Sequence, residues 1–314
     1  MTVQRSDELR SAFGLPSGGH CPQVLISTVF DVLAFCPHDF TVAPCAAGER
    51  AELIAMLDSV PKGSVLVLDR GYPSFELMRE IVDRGLHFVM RAKSDMSVAV
   101  RDFVTYRGTD EIIEIQPPQD IKKRYPQPLD ARALYFSKDG SDPTILLTDL
   151  VGPRYPAAAI GGLYGGRWQV EEYYKVENDS VFTIGQCRSK SANGVKQEVG
   201  AFALFVALSR HLAVAAAKRA ETPVAAISRR HCMLRLSRCL LIAGFMDNQN
   251  VAARAIHRIV VLLARRKSRD RPDRSYPRIS FKPRKRWNSK GKRGSNLLRN
   301  PGRPRSSRRR DSGA

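Results

Sequence analysis

The segment that most constrains the fold is Ser64-Val65-Leu66-Val67-Leu68-Asp69, an apolar run that stops abruptly at a carboxylate. A run this short, preceded by the turn Lys62-Gly63, reads as a strand buried on both faces. A half-exposed strand would alternate apolar with polar residues. Past the turn Arg70-Gly71-Tyr72-Pro73-Ser74, residues Phe75 to Arg84 carry helical spacing with Ser74 as cap, and His87-Phe88-Val89-Met90-Arg91 reads as the next strand. Strand, helix and strand joined by short links make a βαβ unit, which calls for an α/β sheet. Asp69 then stands at the carboxyl end of a buried strand, at the mouth where such sheets bind ligands. An aspartate in that place is also an ordinary turn former, and spacing alone leaves both roles open.

The flanks are read more coarsely. Residues 1–22, punctuated by Gly14, Pro16, Gly18, Gly19 and Pro22, are expected to be loop and turn, and Val24 to Phe35 one strand or a short hairpin. Gly48 to Leu57 has helical spacing. Between Ser97 and Leu150 the segments Val98–Val104, Glu111–Ile115, Ala131–Phe136 and Thr144–Leu147 read as a β-rich block with turns such as Lys138-Asp139-Gly140. From Ala157 to Asp179 the period is helical, Val199 to Ala220 is a strongly apolar helix, and another covers Val251–Arg265. The apolar stretches Ala201–Leu208 and Leu212–Ala217 are broken by Ser209-Arg210-His211, so no membrane span is expected, and no apolar leader follows Met1. The six cysteines show no Cys-x-x-Cys pair and no histidine at zinc spacing, so they read as reduced thiols of a cytoplasmic protein; zinc or a disulfide fits poorly.

Charge is distributed unevenly. From Arg265 to Ala314 there are 20 Lys/Arg against Asp270, Asp273 and Asp311, a net +17, which leaves +3 on the first 264 residues. A near-neutral globule with a basic, Pro- and Arg-rich tail suits a polyphosphate partner, and beyond Lys267 little could be buried, so disorder is expected. Within the tail, Pro301-Gly302-Arg303-Pro304-Arg305 resembles the Gly-Arg-Pro core of minor-groove hooks, although nonspecific phosphate contact accounts for it more simply.

A second cluster is Tyr164-Gly165-Gly166-Arg167-Trp168-Gln169-Val170-Glu171-Glu172-Tyr173-Tyr174-Lys175. Helical offsets of three and seven bring Tyr164, Arg167 and Glu171 to one stripe, a phenol, a guanidinium and a carboxylate that do not make a packing face. Arg167 and Glu171 could equally be a solvated i,i+4 pair worth ~0.3–0.5 kcal/mol. The paired glycines weaken a helix, a sign that close approach matters there.

Leu68-Asp69-Arg70-Gly71-Tyr72, Phe88-Val89-Met90-Arg91-Ala92-Lys93 and Tyr164-x-x-Arg167-x-x-x-Glu171, in this order, resemble bacterial insertion-sequence transposases of the insertion sequence four family, from about Leu9 to Pro283. The resemblance implies a ribonuclease-H-like α/β fold with flanking helices and a β-rich insertion. It implies Asp69 and Glu171 as the second and third catalytic carboxylates, holding Mg²⁺ or Mn²⁺. Tyr164, Arg167, Lys175, Arg70, Arg91 and Lys93 would be DNA contacts, and the partner would be double-stranded DNA, gripped by a homodimer that pairs two transposon ends. Hard cations want oxygen ligands, and metal ions can stabilise both the attacking and the leaving oxygen of a phosphoryl displacement. The corresponding domains are a core in two parts, 1–93 and 157–220, the insertion 94–156, a helical segment 221–266 and a basic tail 267–314.

Two features depart from the family. Its lysine, seven residues past the glutamate, is Asn178 here. Its first aspartate lies on an opening strand just ahead of a segment like Asp7-Glu8-Leu9-Arg10-Ser11-Ala12-Phe13-Gly14, so that strand is expected to be missing; Asp7 and Asp31 are weak substitutes. Two rivals therefore stand beside an active transposase. A truncated DNA-binding remnant shares everything but a working site. A basic RNA- or ribosome-associated protein explains the tail but not the carboxylate spacing.

Overall fold

Ser6 opens the first element. Its hydroxyl accepts a hydrogen bond from Leu9 N and caps α1 (Asp7–Phe13), with Asp7 and Glu8 in the first turn, where the helix dipole favours carboxylates. This corrects the expectation of loop throughout residues 1–22. The buried residues of α1 are Leu9 and Phe13, one turn apart, a stripe too short to register as a period. Next, β1 (Val24–Asp31) and β2 (Cys36–Pro44) form an antiparallel ribbon. The expected strand or short hairpin ending at Phe35 covers only β1 and its turn; Pro37, His38 and Asp39 disguise β2. The turn is held by Asp31 Oδ1, which accepts from Leu33 N and Ala34 N at 2.8 Å each, and Phe35 leaves it in the left-handed region at φ 51°.

The βαβ unit follows as its apolar pattern requires. Helix α2 (Glu49–Met56) leads into β3 (Val65–Leu68), α3 (Phe75–Asp83) and β4 (His87–Ala92), with β3 and β4 parallel. Ser74 Oγ accepts from Leu77 N and caps α3. The next element, α4 (Val98–Thr105), corrects the strand expected at Val98–Val104. Its valines favour a strand, but Ser97 caps the segment by accepting from Val100 N, and Val100 and Phe103, three residues apart, are the pair that is buried. Helical burial thus outweighs β-propensity. Strands β5 (Asp110–Ile115), β6 (Leu129–Phe136) and β7 (Thr144–Thr148) pair antiparallel and complete a mixed sheet in the order β3-β4-β7-β6-β5.

The sheet is covered on both faces, and the alternation of its strands shows how. Leu66, Phe88, Met90, Ala131, Ala133 and Leu147 face Leu53, Phe75, Met78, Ile81, Val100 and Phe103 of α2, α3 and α4. Val89, Leu134 and Leu146, one residue out of phase, pack with Ile160 and Leu163 of α5 (Ala157–Gly165). Each large side chain so buried contributes roughly 1.5–3 kcal/mol. Helix α6 (Trp168–Glu177) places Tyr173 against Phe30 of β1 and Phe202 of α7 (Ala192–Arg219). Helices α8 (Arg229–Ala243) and α9 (Gln249–Ala264) close a bundle on α7 through Leu212, Ala216, Cys232, Leu236 and Leu263.

This computed structural model describes residues 1–137, 143–177, 187–243 and 249–265. The basic tail, with its Gly-Arg-Pro segment, and Asn178 lie outside them. The architecture is mixed α/β with a five-stranded mixed sheet, consistent with a ribonuclease-H-like domain. By length and composition α7 is apolar enough to cross a membrane; in this fold its buried stripe packs on α1, α8, α9 and β2.

Candidate active site

Asp69 follows β3 directly. Because β3 and β4 are parallel and Leu68 is in register with Met90, Arg91 and Lys93 lie at the same end of the sheet as Asp69. Arg91 is half-buried, while Arg70 and Lys93 are exposed. The Asp69 carboxylate shapes its own loop: Oδ1 accepts from Gly71 N at 2.9 Å, and its carbonyl accepts from Tyr72 N at 3.2 Å. A Cβ on Gly71 would meet Oδ1 at 3.2 Å, which explains the glycine. The turn-forming role is therefore real, and it occupies one oxygen, leaving Oδ2 without a hydrogen bond among the described residues.

Two residues passed over in the sequence reading support this loop. Arg50, in the first turn of α2, donates from Nε and Nη2 to Gly71 O at 3.1 and 2.8 Å. Tyr72 is half-buried, and its phenol is pushed well above the ordinary tyrosine range by burial first, then by Glu49, Tyr174 and Asp69. Tyr72 packs on the main hydrophobic core, which anchors the far side of the Asp69 loop. A signal for Arg50 existed: a cation in the first turn of a helix opposes the dipole, and a broken local rule points to a tertiary task. Tyr72 stands in the sequence only as the last residue of the Leu68–Tyr72 motif, with no role of its own.

The helix expected from Ala157 to Asp179 is two helices. Through the junction the backbone bonds shorten to i→i−3 (Gly166 N to Leu163 O, Arg167 N to Tyr164 O, Gln169 N to Gly166 O), a 3₁₀-like tightening between α5 and α6. Gly166 permits it: a Cβ there would meet Leu163 O at 3.1 Å and Val32 Cγ2, from the β1–β2 turn, at 4.0 Å. Gly165 has nothing within 4 Å, so close approach concerns one glycine of the pair.

Across this junction Tyr164, Arg167 and Glu171 still converge. Arg167 Nη2 donates to Glu171 Oε1 at 2.8 Å, and its guanidinium lies 5.9 Å from the Tyr164 ring centroid. Burial opposes the Arg167 charge, but the Glu171 hydrogen bond, then Tyr164, Glu171 and Asp69, outweigh it and hold Arg167 above its usual range. Asp69 lies at the end of a strand and Glu171 on a helix, so the two carboxylates come from different layers of the fold. The side chain of Lys175, one turn beyond Glu171 on α6, lies outside the described atoms.

Asp7 and Asp31 do not join the cluster. Asp7 opens α1, and Asp31 uses Oδ1 to hold its own turn. Among the described residues no three His, Cys, Asp or Glu side chains are grouped closely enough to hold a metal ion.

Residues 9–208, well over half of the chain, match the transposase DDE domain. A protein of Sinorhizobium fredii (strain NBRC 101917 / NGR234) that carries the name transposase y4zB is 27% identical over 170 residues, which cover 51% of this chain and 45% of that protein. The chain thus spans about half the length of that relative. With β3, β4 and α5–α6 all inside the matched region, the chain belongs to the family of transposases with a DDE domain.

Proposed function

We propose that this chain is an insertion-sequence transposase of the insertion sequence four subgroup that cleaves and rejoins DNA strands with a divalent metal at Asp69 and Glu171. The observation that carries this reading is the 2.8 Å hydrogen bond from Arg167 to Glu171, which keeps the Tyr164, Arg167 and Glu171 stripe together across the α5–α6 junction. The donor set suits Mg²⁺ or Mn²⁺: both are hard cations that take carboxylate oxygens, and Mg²⁺ binds through one or two carboxylates while keeping several waters. When bound, the metal would supply Lewis-acid stabilisation of the oxygens of the displaced phosphoryl group. Arg167 would neutralise phosphate charge with its remaining donors, Tyr164 would hold a phosphate oxygen, and Arg70, Arg91 and Lys93 would line the approach. In this reading 1–93 and 157–220 are the core, 94–156 the insertion, 221–266 a helical segment and 267–314 a DNA-attracting tail. The working form is a cytoplasmic homodimer on two transposon ends. The test is Glu171→Gln in a strand-cleavage assay on duplex DNA. Cleavage should be lost while duplex affinity changes less than about threefold; cleavage that survives would remove Glu171 from the chemistry.

A second reading, a chain that binds DNA without cutting it, is favoured by one specific observation. Asp69 and Glu171 have no third carboxylate beside them among the described residues. The two readings separate on the purified chain with supercoiled DNA in Mg²⁺ or Mn²⁺. Nicking supports the first; binding without nicking supports the second.

A further inference from the structure

We infer that Arg50 is a positioning residue for the metal carboxylate, acting on Asp69 through the backbone of Gly71; this rests on the reading of Asp69 as a metal ligand. Gly71 is gripped on both sides of its Cα, through the N–H of one peptide unit and the C=O of the next. Its N–H donates to Asp69 Oδ1 at 2.9 Å, and Gly71 O receives Nε and Nη2 of Arg50 at 3.1 and 2.8 Å. A carboxylate with one oxygen tied to a fixed N–H can rotate little, so its other oxygen has a set direction. Fixing that N–H in turn requires that the carbonyl beyond it not swing. The fork geometry of a guanidinium suits this task, because two donors on one acceptor hold an angle as well as a distance, which a single ammonium donor does not.

The arrangement also explains why an exposed arginine stands where the α2 dipole disfavours it. Charge acts in the same direction. The Arg50 fork polarises the Gly71–Tyr72 amide, strengthening Tyr72 N–H as a donor to the Asp69 carbonyl, which accepts it at 3.2 Å. Arg50 thus joins the first turn of α2 to the loop carrying Asp69. A carboxylate supported in this way resembles other metal ligands, whose orientation is set by groups that never touch the ion.

The experiment is Mn²⁺ titration of the full chain followed by electron paramagnetic resonance, with wild type, Asp69→Asn, Arg50→Ala, Arg50→Lys and Gly71→Ala. Wild type should bind Mn²⁺ and Asp69→Asn should not. Arg50→Ala should bind about 3- to 10-fold more weakly, less than the roughly 10–100-fold typical of such supporting groups, because Arg50 is solvent-exposed. Arg50→Lys should lie between wild type and Arg50→Ala. Gly71→Ala, whose Cβ presses on Oδ1 from 3.2 Å, should weaken binding without touching Arg50. If Asp69→Asn binds Mn²⁺ as wild type does, or wild type binds none, Asp69 is not a ligand and the reading beneath this inference fails. If Asp69→Asn abolishes binding but Arg50→Ala leaves it unchanged, the ligand reading stands and the positioning role fails. Arg50→Ala that weakens duplex DNA binding in EDTA while Mn²⁺ affinity holds would make Arg50 a phosphate contact instead.

Discussion

Two clusters of acids and bases lie on this domain, and they are built to opposite ends. At Glu80 of α3 both carboxylate oxygens are engaged. Oε1 accepts from Tyr125 OH and from Arg124 Nη2 at 2.8 Å, and Oε2 accepts from Arg84 Nη1. Arg84 Nε continues to Asp58 at 2.8 Å and Arg124 Nη1 to Glu76 at 2.7 Å. The Glu80 side chain is 12% exposed, and the network ties α3 to the loop between β5 and β6. Around Asp69 and Glu171 each carboxylate has one oxygen engaged, by Gly71 N and by Arg167, and the Glu171 side chain is 40% exposed. A closed cluster spends its lone pairs on the fold. An open one keeps them for something that arrives. Charge and residue type are the same in both, so satisfaction of the lone pairs is what separates a structural cluster from a candidate site.

The largest effect expected from this difference is on stability. Glu80→Ala leaves Arg84, Arg124 and the Tyr125 hydroxyl without their shared acceptor and should cost about 3 kcal/mol, the low end for breaking a buried ion pair because its rim reaches solvent. In a domain of this size that lowers Tm by roughly 6–10 °C. A calorimetric loss under about 1 kcal/mol would mean that the cluster is not closed in solution.

Acid should separate the clusters next. The Tyr125 hydrogen bond, outweighing the burial that works against it, together with Arg84 and Arg124, holds Glu80 below its ordinary value of 4.5. A lowered carboxylate pKa contributes stability that is present above the unfolded value and lost as pH falls through the folded one. Wild-type Tm should therefore fall more steeply than that of Glu80→Gln as pH drops below the ordinary carboxylate value of 4.5, because the glutamine has no such charge to lose. Equal slopes would remove Glu80 from the acid response.

Much of the open cluster was legible in the sequence, and the closed one was not, for a physical reason. Asp69 ends a run of buried residues, and Tyr164, Arg167 and Glu171 keep helical offsets, so local pattern carries both. Glu80 meets Tyr125 and Arg124 only through a fold that joins residues 44 and 45 positions apart, and nothing in the helix around it shows that it is buried. Arg50 is the intermediate case: its position against the helix dipole was visible, its target Gly71 was not. The valines of α4 misled because propensity is local while burial of Val100 and Phe103 is tertiary, and β2 was hidden by Pro37, His38 and Asp39.

The α5–α6 junction gives a smaller effect that tests how the open cluster is held together. Gly165→Ala meets no atom within 4 Å and replaces a helix-weakening residue, so it should stabilise by about 0.5–1 kcal/mol. Gly166→Ala presses on Leu163 O at 3.1 Å and should destabilise by about 1 kcal/mol, shifting Arg167 relative to Asp69. Equal and favourable effects from both alanines would mean that the 3₁₀-like junction relaxes to regular helix at no cost to the site.

The smallest expected effect is the most decisive for the comparison. Asparagine at position 69 keeps an oxygen for Gly71 N, so Asp69→Asn preserves the hydrogen bond that shapes the loop and removes only a charge whose second oxygen has no hydrogen bond among the described residues. Its stability should stay within about 0.5 kcal/mol of wild type, a Tm change below roughly 2 °C, while Mn²⁺ binding disappears. Residues held for function are commonly dispensable to the fold, and some stabilise it when removed. If Asp69→Asn instead destabilises the chain on the scale of Glu80→Ala, the Asp69 carboxylate is a second closed cluster, and the distinction between an acid that holds the protein together and one that waits for a ligand fails at this site.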